Sequence, residues 1–187
     1  MRMGIRVFGV VCLVVMFAGK EARGQIVLQY SGPARYELGA QFTAVAPGGP
    51  VDAGNIGPGL HFGYNYNRFL SLESDLNGYH PVTFLVGPRI GYTWQDVGLY
   101  LKVRPGLIHF TSDEAIPSVE KHPTHFAFDT GIVLARYFES GVYLRLDAGR
   151  IFVDYGGGSY TDPVTKQMYH LGVPGGFLGS VGIGARW

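Results

Sequence analysis

The sequence has a single cysteine, Cys12, and it lies in an apolar segment near the N-terminus. Charged residues are scarce at 16% of the chain, against roughly 25% in soluble domains, and no run of basic residues is present. If this N-terminal segment is removed from the mature protein, the remaining chain has no cysteine and therefore no disulfide and no thiol chemistry. The formal net charge of +1 without a basic patch also argues against nucleic acid as a partner.

Long apolar runs are missing as well, because the run 7–18 is too short to cross a bilayer as a helix, which needs about 20 residues. This run follows a basic start and precedes small residues at Ala22 and Gly24. Such an order is typical of a secretory signal peptide. We expect residues 1–24 to be removed, leaving 25–187 as one domain; an uncleaved anchor is the alternative.

What the sequence has in abundance is glycine, with 29 residues, and tyrosine and phenylalanine, with 12 each. Aromatic residues favour strands, and eight segments alternate with the period of two that is typical of strands. The alternation is clearest between Val97 and Ile108. The predicted strands are 36–43, 56–66, 70–76, 84–94, 97–108, 125–135, 142–149 and 177–187.

The two faces of these strands differ sharply in charge. The more apolar face carries no charged residue, although Arg136 and Arg150 follow its parity just past predicted strand ends. The other face carries Glu37, Glu73, Asp75, Arg89, Lys102, Arg104, Asp129, Arg145, Asp147 and Arg186. This pattern predicts an all-β, eight-stranded antiparallel barrel, either in a membrane with the apolar face outward or soluble with that face inward, and alternation alone does not decide between them.

Three features favour the membrane. The first is that short connections alternate with longer ones, as in transmembrane barrels; the longer ones, 44–55, 77–83, 109–124 and 150–176, are expected to face outside. The second is that aromatic residues collect at the short-turn rim, where amphipathic rings favour the lipid–water interface. The predicted girdle is Tyr64, Tyr66, Tyr92, Trp94 and Trp187.

The third feature is the last strand, which is apolar at every second position back from its end: Trp187, Ala185, Ile183 and Val181. With the segments Gly87–Tyr92 and Lys102–Gly106, it resembles strands of the small outer-membrane barrels of the OmpA/OmpX type. The resemblance implies an up-and-down barrel in the bacterial outer membrane. It implies outer-membrane lipid as a partner and a final strand that the barrel-assembly machinery recognises. Nothing follows Trp187, so the peptidoglycan-binding domain of OmpA-type proteins is not expected.

A barrel of eight strands is just wide enough for side chains to fill it, so the inward charges are expected to pair rather than line a channel. Pro58, Pro88 and Pro105 fall inside predicted strands beside glycines, and bulges are expected there. The predicted interior network is Glu73, Asp75, Arg89, Lys102, Arg104, Asp129, Arg145 and Asp147.

Signals for chemistry are weak. The sequence has no phosphate loop, dinucleotide fingerprint or HExxH motif, and His122 and His125 form a pair too small by itself to hold a metal. We therefore expect no cofactor, no metal and no catalytic residue, and a structural or surface-interaction role. The alternatives are a lipid A-modifying enzyme using Ser112, Asp113 and these histidines, a soluble lipocalin-like binding barrel, or a small pore.

Overall fold

The computed structural model describes residues 34–48, 54–78, 81–110, 124–161, 166 and 168–187. The predicted signal peptide, 1–24, lies outside these ranges. Within them, no helix is long and apolar enough to cross a membrane. The strands are β1 (Tyr36–Ala46), β2 (Asn55–Asn65), β3 (Leu70–Asn77), β4 (Val82–Trp94), β5 (Val97–His109), β6 (Thr124–Tyr137), β7 (Val142–Val153), β8 (Gly158–Thr161), β9 (Met168–Leu171) and β10 (Gly175–Arg186).

Eight of these strands close into an antiparallel barrel in the order β1-β10-β7-β6-β5-β4-β3-β2. Each strand pairs with its neighbour in sequence, and β1 pairs with β10 to complete the cylinder. The predicted eight-stranded up-and-down barrel is thus confirmed. β8 and β9 form a separate two-stranded hairpin between β7 and β10, which was not predicted because four-residue strands are too short to show a period.

The alternation of side chains orients the wall of the barrel with its apolar face outward. On β5, the outward-facing Leu101 is 66% exposed, whereas the inward-facing Lys102 and Arg104 are fully buried. The pattern repeats on the neighbouring β6, where Ile132 is exposed and Asp129 is buried. A soluble lipocalin-like barrel requires the opposite orientation, so this alternative is excluded for the described strands.

Several strands extend further than predicted towards the end of the barrel opposite the short turns, here called the loop end. β7 continues to Val153 at the loop end, whereas β6 continues to Tyr137 at the short-turn end, so Arg150 and Arg136 lie within strands and not past their ends. β3 and β4 also extend, which leaves only 78–81 between them. The expectation of a longer loop at 77–83 was therefore wrong, because inward-facing side chains continue to pack in the barrel at this end.

The prolines are accommodated without bulges, so that prediction was also wrong. Pro58 lies opposite Phe42 in an unbroken β1–β2 register. Between β4 and β5, pairing stops over 86–88 and 103–105 and then resumes with the register unchanged. Pro88 and Pro105 thus both fall in the same gap. Because each proline lacks only one N–H donor, sharing one gap leaves the pairs on either side intact.

Two glycines, Gly131 on β6 and Gly149 on β7, face each other across the ladder. A Cβ atom added to Gly131 would lie 2.7 Å from the Cα of Gly149, and one added to Gly149 would lie 2.9 Å from the Cα of Gly131. Both distances are shorter than a normal van der Waals contact. The close approach of β6 and β7 therefore requires glycine on each side.

We expect Gly131→Val to lower the free energy of unfolding by about 1–3 kcal/mol, because the added carbons must push the two backbones apart. The midpoint of urea unfolding in lipid vesicles measures the effect. Gly157→Val is the matched control, since a Cβ atom there would meet no atom within 4 Å. Equal midpoints for the two variants would show that the approach of β6 to β7 is not tight.

Candidate functional site

The interior of the barrel is built in layers along its axis. At the short-turn end lies a layer of three inward-facing tyrosines, Tyr100, Tyr137 and Tyr143, packed with Val133 and Ala135. The hydroxyls of Tyr100 and Tyr137 are 3.1 Å apart, and Tyr137 also donates to the carboxylate of Glu37 at 3.2 Å. This layer separates the charged layer above it from the short turns.

The charged layer fills the middle of the barrel. Nine of its side chains are 4% exposed or less: the carboxylates Glu37, Glu73, Asp75, Asp129 and Asp147, and the cations Arg89, Lys102, Arg104 and Arg145. The described interior therefore holds five acids and four bases. Buried charges are costly unless they are paired and hydrogen-bonded, so the contacts within the layer decide whether it is stable.

Arg104 on β5 is the cation with the most carboxylate contacts. Its Nε donates to Asp129 at 2.9 Å, and its Nη1 donates to Glu73 at 3.1 Å and also pairs with Asp75. Its Nη2 lies 3.6 Å from Asp147. One guanidinium thus contacts four of the five buried carboxylates.

Glu73 on β3 is the corresponding acid, because it contacts three arginines. Its carboxylate lies 2.8 Å from Arg145, 3.1 Å from Arg104 and 3.6 Å from Arg89. Arg89 in turn donates to Glu37 at 3.1 Å and lies over the ring of Tyr100, 4.4 Å from its centroid. The charged layer is therefore linked directly to the tyrosine layer.

Lys102 completes the layer. Its Nζ pairs with Asp129 and lies 2.6 Å from Asp147, which also accepts from Arg145 at 2.9 Å. All eight residues of the network that the sequence suggests thus lie in this layer and contact one another. Arg186, which shares their parity, instead lies at the short-turn end with its guanidinium 4.2 Å from the ring centroid of Tyr137.

Sequence reasoning missed His61 and left Glu37 out of the network. His61 on β2 is 1% exposed; its Nδ1 lies 2.7 Å from Asp75 and its Nε2 lies 3.3 Å from Arg145. Its Nε2 also lies 3.8 Å from a carboxylate oxygen of Glu37, so His61 contacts Asp75, Glu37 and Arg145 within the charged layer. The inward parity that His61 shares with Gly59 and Gly63 was the signal that could have found it.

Two further layers lie between the charges and the loop end. The first is polar: the amide oxygen of Asn77 accepts from Gln41 at 3.0 Å and from Thr43 at 2.6 Å, and its Nδ2 donates to Thr83 at 2.9 Å. The second is apolar and was not predicted. It consists of Val45, Leu85, Ile108, Phe110, Ala127, Ile151, Val153, Tyr155 and Leu178. The sequence indicates this layer only indirectly: the inward-facing positions of the strands carry no charged residues near the loop end.

The predicted girdle residues all lie at the short-turn end on the outside of the barrel. Trp94 is 74% exposed and Tyr66 equally so, Tyr92 and Trp187 are about half exposed, and Tyr64 is half-buried. The ring of Trp187 stacks on that of Tyr36 at 6.0 Å. In β10, Val181, Ile183 and Ala185 face outward on the same side of the wall as Trp187.

The described residues offer little for catalysis or metal binding. Among them, no group of three or more His, Cys, Asp or Glu side chains could hold a metal ion. His125 is buried between Phe110 and Tyr155, and its Nδ1 lies 3.0 Å from the carbonyl oxygen of Asp154. Ser112, Asp113 and His122 lie outside the described residues.

Comparison with known proteins gives a likeness of fold. No protein-family model matches the chain, and no curated protein sequence matches it. Among solved structures, the N-terminal β-barrel domain of Pseudomonas aeruginosa OprF superposes with a TM-score of 0.51 at 16% identity, covering 84% of this chain and 100% of that one. Neisserial surface protein A (NspA) superposes with a TM-score of 0.54 at 13% identity, covering 81% of this chain and 97% of that one. In fold, the chain thus resembles the small eight-stranded outer-membrane barrels.

Proposed function

We propose that the protein is an integral barrel of the bacterial outer membrane with a structural or surface-interaction role. The observation that carries this proposal is the orientation of the wall, with apolar side chains such as Leu101 and Phe42 exposed and nine charges buried. In water this arrangement would expose a continuous apolar surface far larger than soluble monomers tolerate. In a bilayer the same surface faces lipid, as in transmembrane barrels.

The layered interior supports a closed barrel rather than a pore. An ion moving along the axis would have to pass the tyrosine layer, the paired charges and the apolar layer, which includes the fully buried Leu85 and Ile151. Eight-stranded barrels are just wide enough to be filled by side chains. We therefore favour a plugged barrel over the small-pore alternative.

The connections at the loop end are the parts available for contact outside the cell. Three of them, 47–54, 110–123 and 154–174, are longer than the turns at the other end, and the last contains the β8–β9 hairpin. With the aromatic girdle on the opposite rim, this asymmetry favours short turns on the periplasmic side and loops outside. The outward-facing residues of β10 that end at Trp187 are then positioned for recognition by the barrel-assembly machinery.

A non-enzymatic role fits the described residues better than lipid A modification does. His61, the buried histidine that lies close to carboxylates among them, contacts Asp75 through Nδ1 and lies near both Glu37 and Arg145 through Nε2. It lies inside the charged layer, away from the lipid-facing surface where an acyl chain would be cleaved or transferred. A nucleophile and a base within hydrogen-bond distance at the rim would be needed instead.

We expect the full-length protein, expressed in a Gram-negative bacterium, to remain in the membrane fraction after alkaline carbonate washing. Without boiling, it should migrate differently in detergent electrophoresis, because a closed barrel with buried ion pairs resists unfolding by the detergent. The boiled sample is the control for the unfolded chain. Identical migration with and without boiling, together with solubility in the absence of detergent, would contradict membrane insertion.

A further inference from the structure

Arg150 on β7 is a charged side chain on the lipid-facing side of the barrel. It is exposed and lies between Thr130 on β6 and Phe177 on β10. In the loop-end half of the described barrel strands, it is the one outward-facing side chain among the arginines, lysines and carboxylates. Neither the fold nor the interior network uses it.

The guanidinium of Arg150 is directed towards the loop end, where the next outward-facing position on β7 is Phe152. It lies 5.7 Å from the ring centroid of Phe152, and its Nη2 is 3.5 Å from the carbonyl oxygen of Gly175. Phe152 itself stacks on Phe128 with their centroids 4.7 Å apart. The side chain thus extends over an aromatic pair towards the rim.

Most of the donors of Arg150 are unused within the described part of the chain. A guanidinium has five N–H donors, and here one long contact to a carbonyl is made and no carboxylate of the described residues pairs with it. Arg136, the other outward-facing arginine, differs because it lies 3.4 Å from Asp96 at the short-turn rim. Arg150 therefore offers a free planar cation close to the loop-end edge of the apolar wall.

The position of this cation identifies the chemistry of its partner. An arginine on the lipid face of a barrel costs about 2–4 kcal/mol at the bilayer midplane but little near the interface, so Arg150 belongs at the level of the headgroups. Guanidinium binds phosphate through two parallel hydrogen bonds. We propose that Arg150 binds the phosphate of a lipid headgroup in the leaflet at the loop end, with the rings of Phe128 and Phe152 beside the guanidinium and in contact with the same lipid. This inference depends on the proposed membrane insertion.

The test uses the full-length protein in detergent micelles that contain equal amounts of phosphatidic acid and phosphatidylcholine, and native mass spectrometry counts the lipids retained. We expect the wild type to retain phosphatidic acid preferentially and Arg150→Leu to lose this preference by about tenfold. Arg68→Leu is the matched control, because it removes one exposed arginine from a short turn at the opposite rim. Arg150→Gln is a second variant that keeps a polar side chain.

The outcomes are distinguishable. Loss of preference in both Arg150 variants, with Arg68→Leu unchanged and with no effect of added inorganic phosphate, supports a lipid headgroup site. Displacement of the lipid by inorganic phosphate at low concentration would indicate a free-phosphate site and would overturn the proposal. Equal retention by wild type and both Arg150 variants would also overturn it. If the protein showed no insertion into vesicles at all, the proposed function itself would fail first.

Discussion

Replacing Arg104 with methionine is expected to lower the free energy of unfolding by about 3–5 kcal/mol, which is the range for breaking a buried ion pair from one side. The described interior holds five carboxylates and four cations, and Arg104 contacts four of these carboxylates. Its removal leaves five buried acids facing three bases. Urea unfolding in vesicles, followed by the shift between folded and unfolded bands in electrophoresis, measures the effect.

The count of charges makes the comparison with Glu73→Gln informative. That variant leaves four acids and four bases and preserves the size of the side chain, so it should destabilise the barrel less than Arg104→Met does, although Glu73 contacts three arginines. Arg68→Met, in an exposed turn, controls for loss of an arginine and should change stability by less than about 0.5 kcal/mol. A larger effect for Glu73→Gln than for Arg104→Met would contradict the view that loss of a cation is the costlier change in a layer with more acids than bases.

Placing an arginine at Leu101 should be the most damaging change on the outer surface. Leu101 faces outward near the middle of β5 and is 66% exposed, so in a bilayer Leu101→Arg would place a cation in the hydrocarbon. The expected cost is about 2–4 kcal/mol of unfolding free energy, because lipid offers no partner for the charge. The yield of folded barrel in vesicles and the urea midpoint both report it.

Glu139→Arg provides the control, since Glu139 lies in an exposed short turn and the same new cation there stays in water. It should fold with nearly the wild-type yield. The expected effect of Leu101→Arg depends on what surrounds the barrel wall. In a membrane the substitution lowers the folded yield, whereas on a wall exposed to water it would raise solubility. Unchanged folding of Leu101→Arg in vesicles would therefore remove the membrane assignment.

The local parts of this structure were predictable because they follow from alternation. A period of two assigns Leu101 to one face and Lys102 to the other, and it does so independently of where the strands pair. Burial of charged residues on one face of eight strands then requires a closed interior. Strand boundaries at the loop end were less predictable. Ile151 and Val153 are apolar although they face inward, so the alternation of apolar and polar residues that marks a strand is lost there.

The contacts across the interior could not be predicted, because they depend on the stagger of the strands around the barrel. Glu73 and Arg145 are separated by 72 positions in the sequence, and nothing in either strand specifies that the two side chains lie at the same level. His61 was missed for a related reason. An isolated histidine, with only glycines at the nearest positions on its face of the strand, shows no partner in the sequence, and its contact with Asp75 follows only once β2 and β3 are paired.

In the proposed membrane setting, the ion pairs that span the barrel also constrain how it would enter a bilayer. Arg104 on β5 pairs with Asp75 on β3, Lys102 on β5 with Asp147 on β7, and Arg145 on β7 with Glu73 on β3; none of these strands are neighbours in the wall. A single hairpin inserted by itself would carry its charges into hydrocarbon without their counterions. Insertion should therefore be concerted, with the sheet nearly complete and already curved before it crosses the lipid.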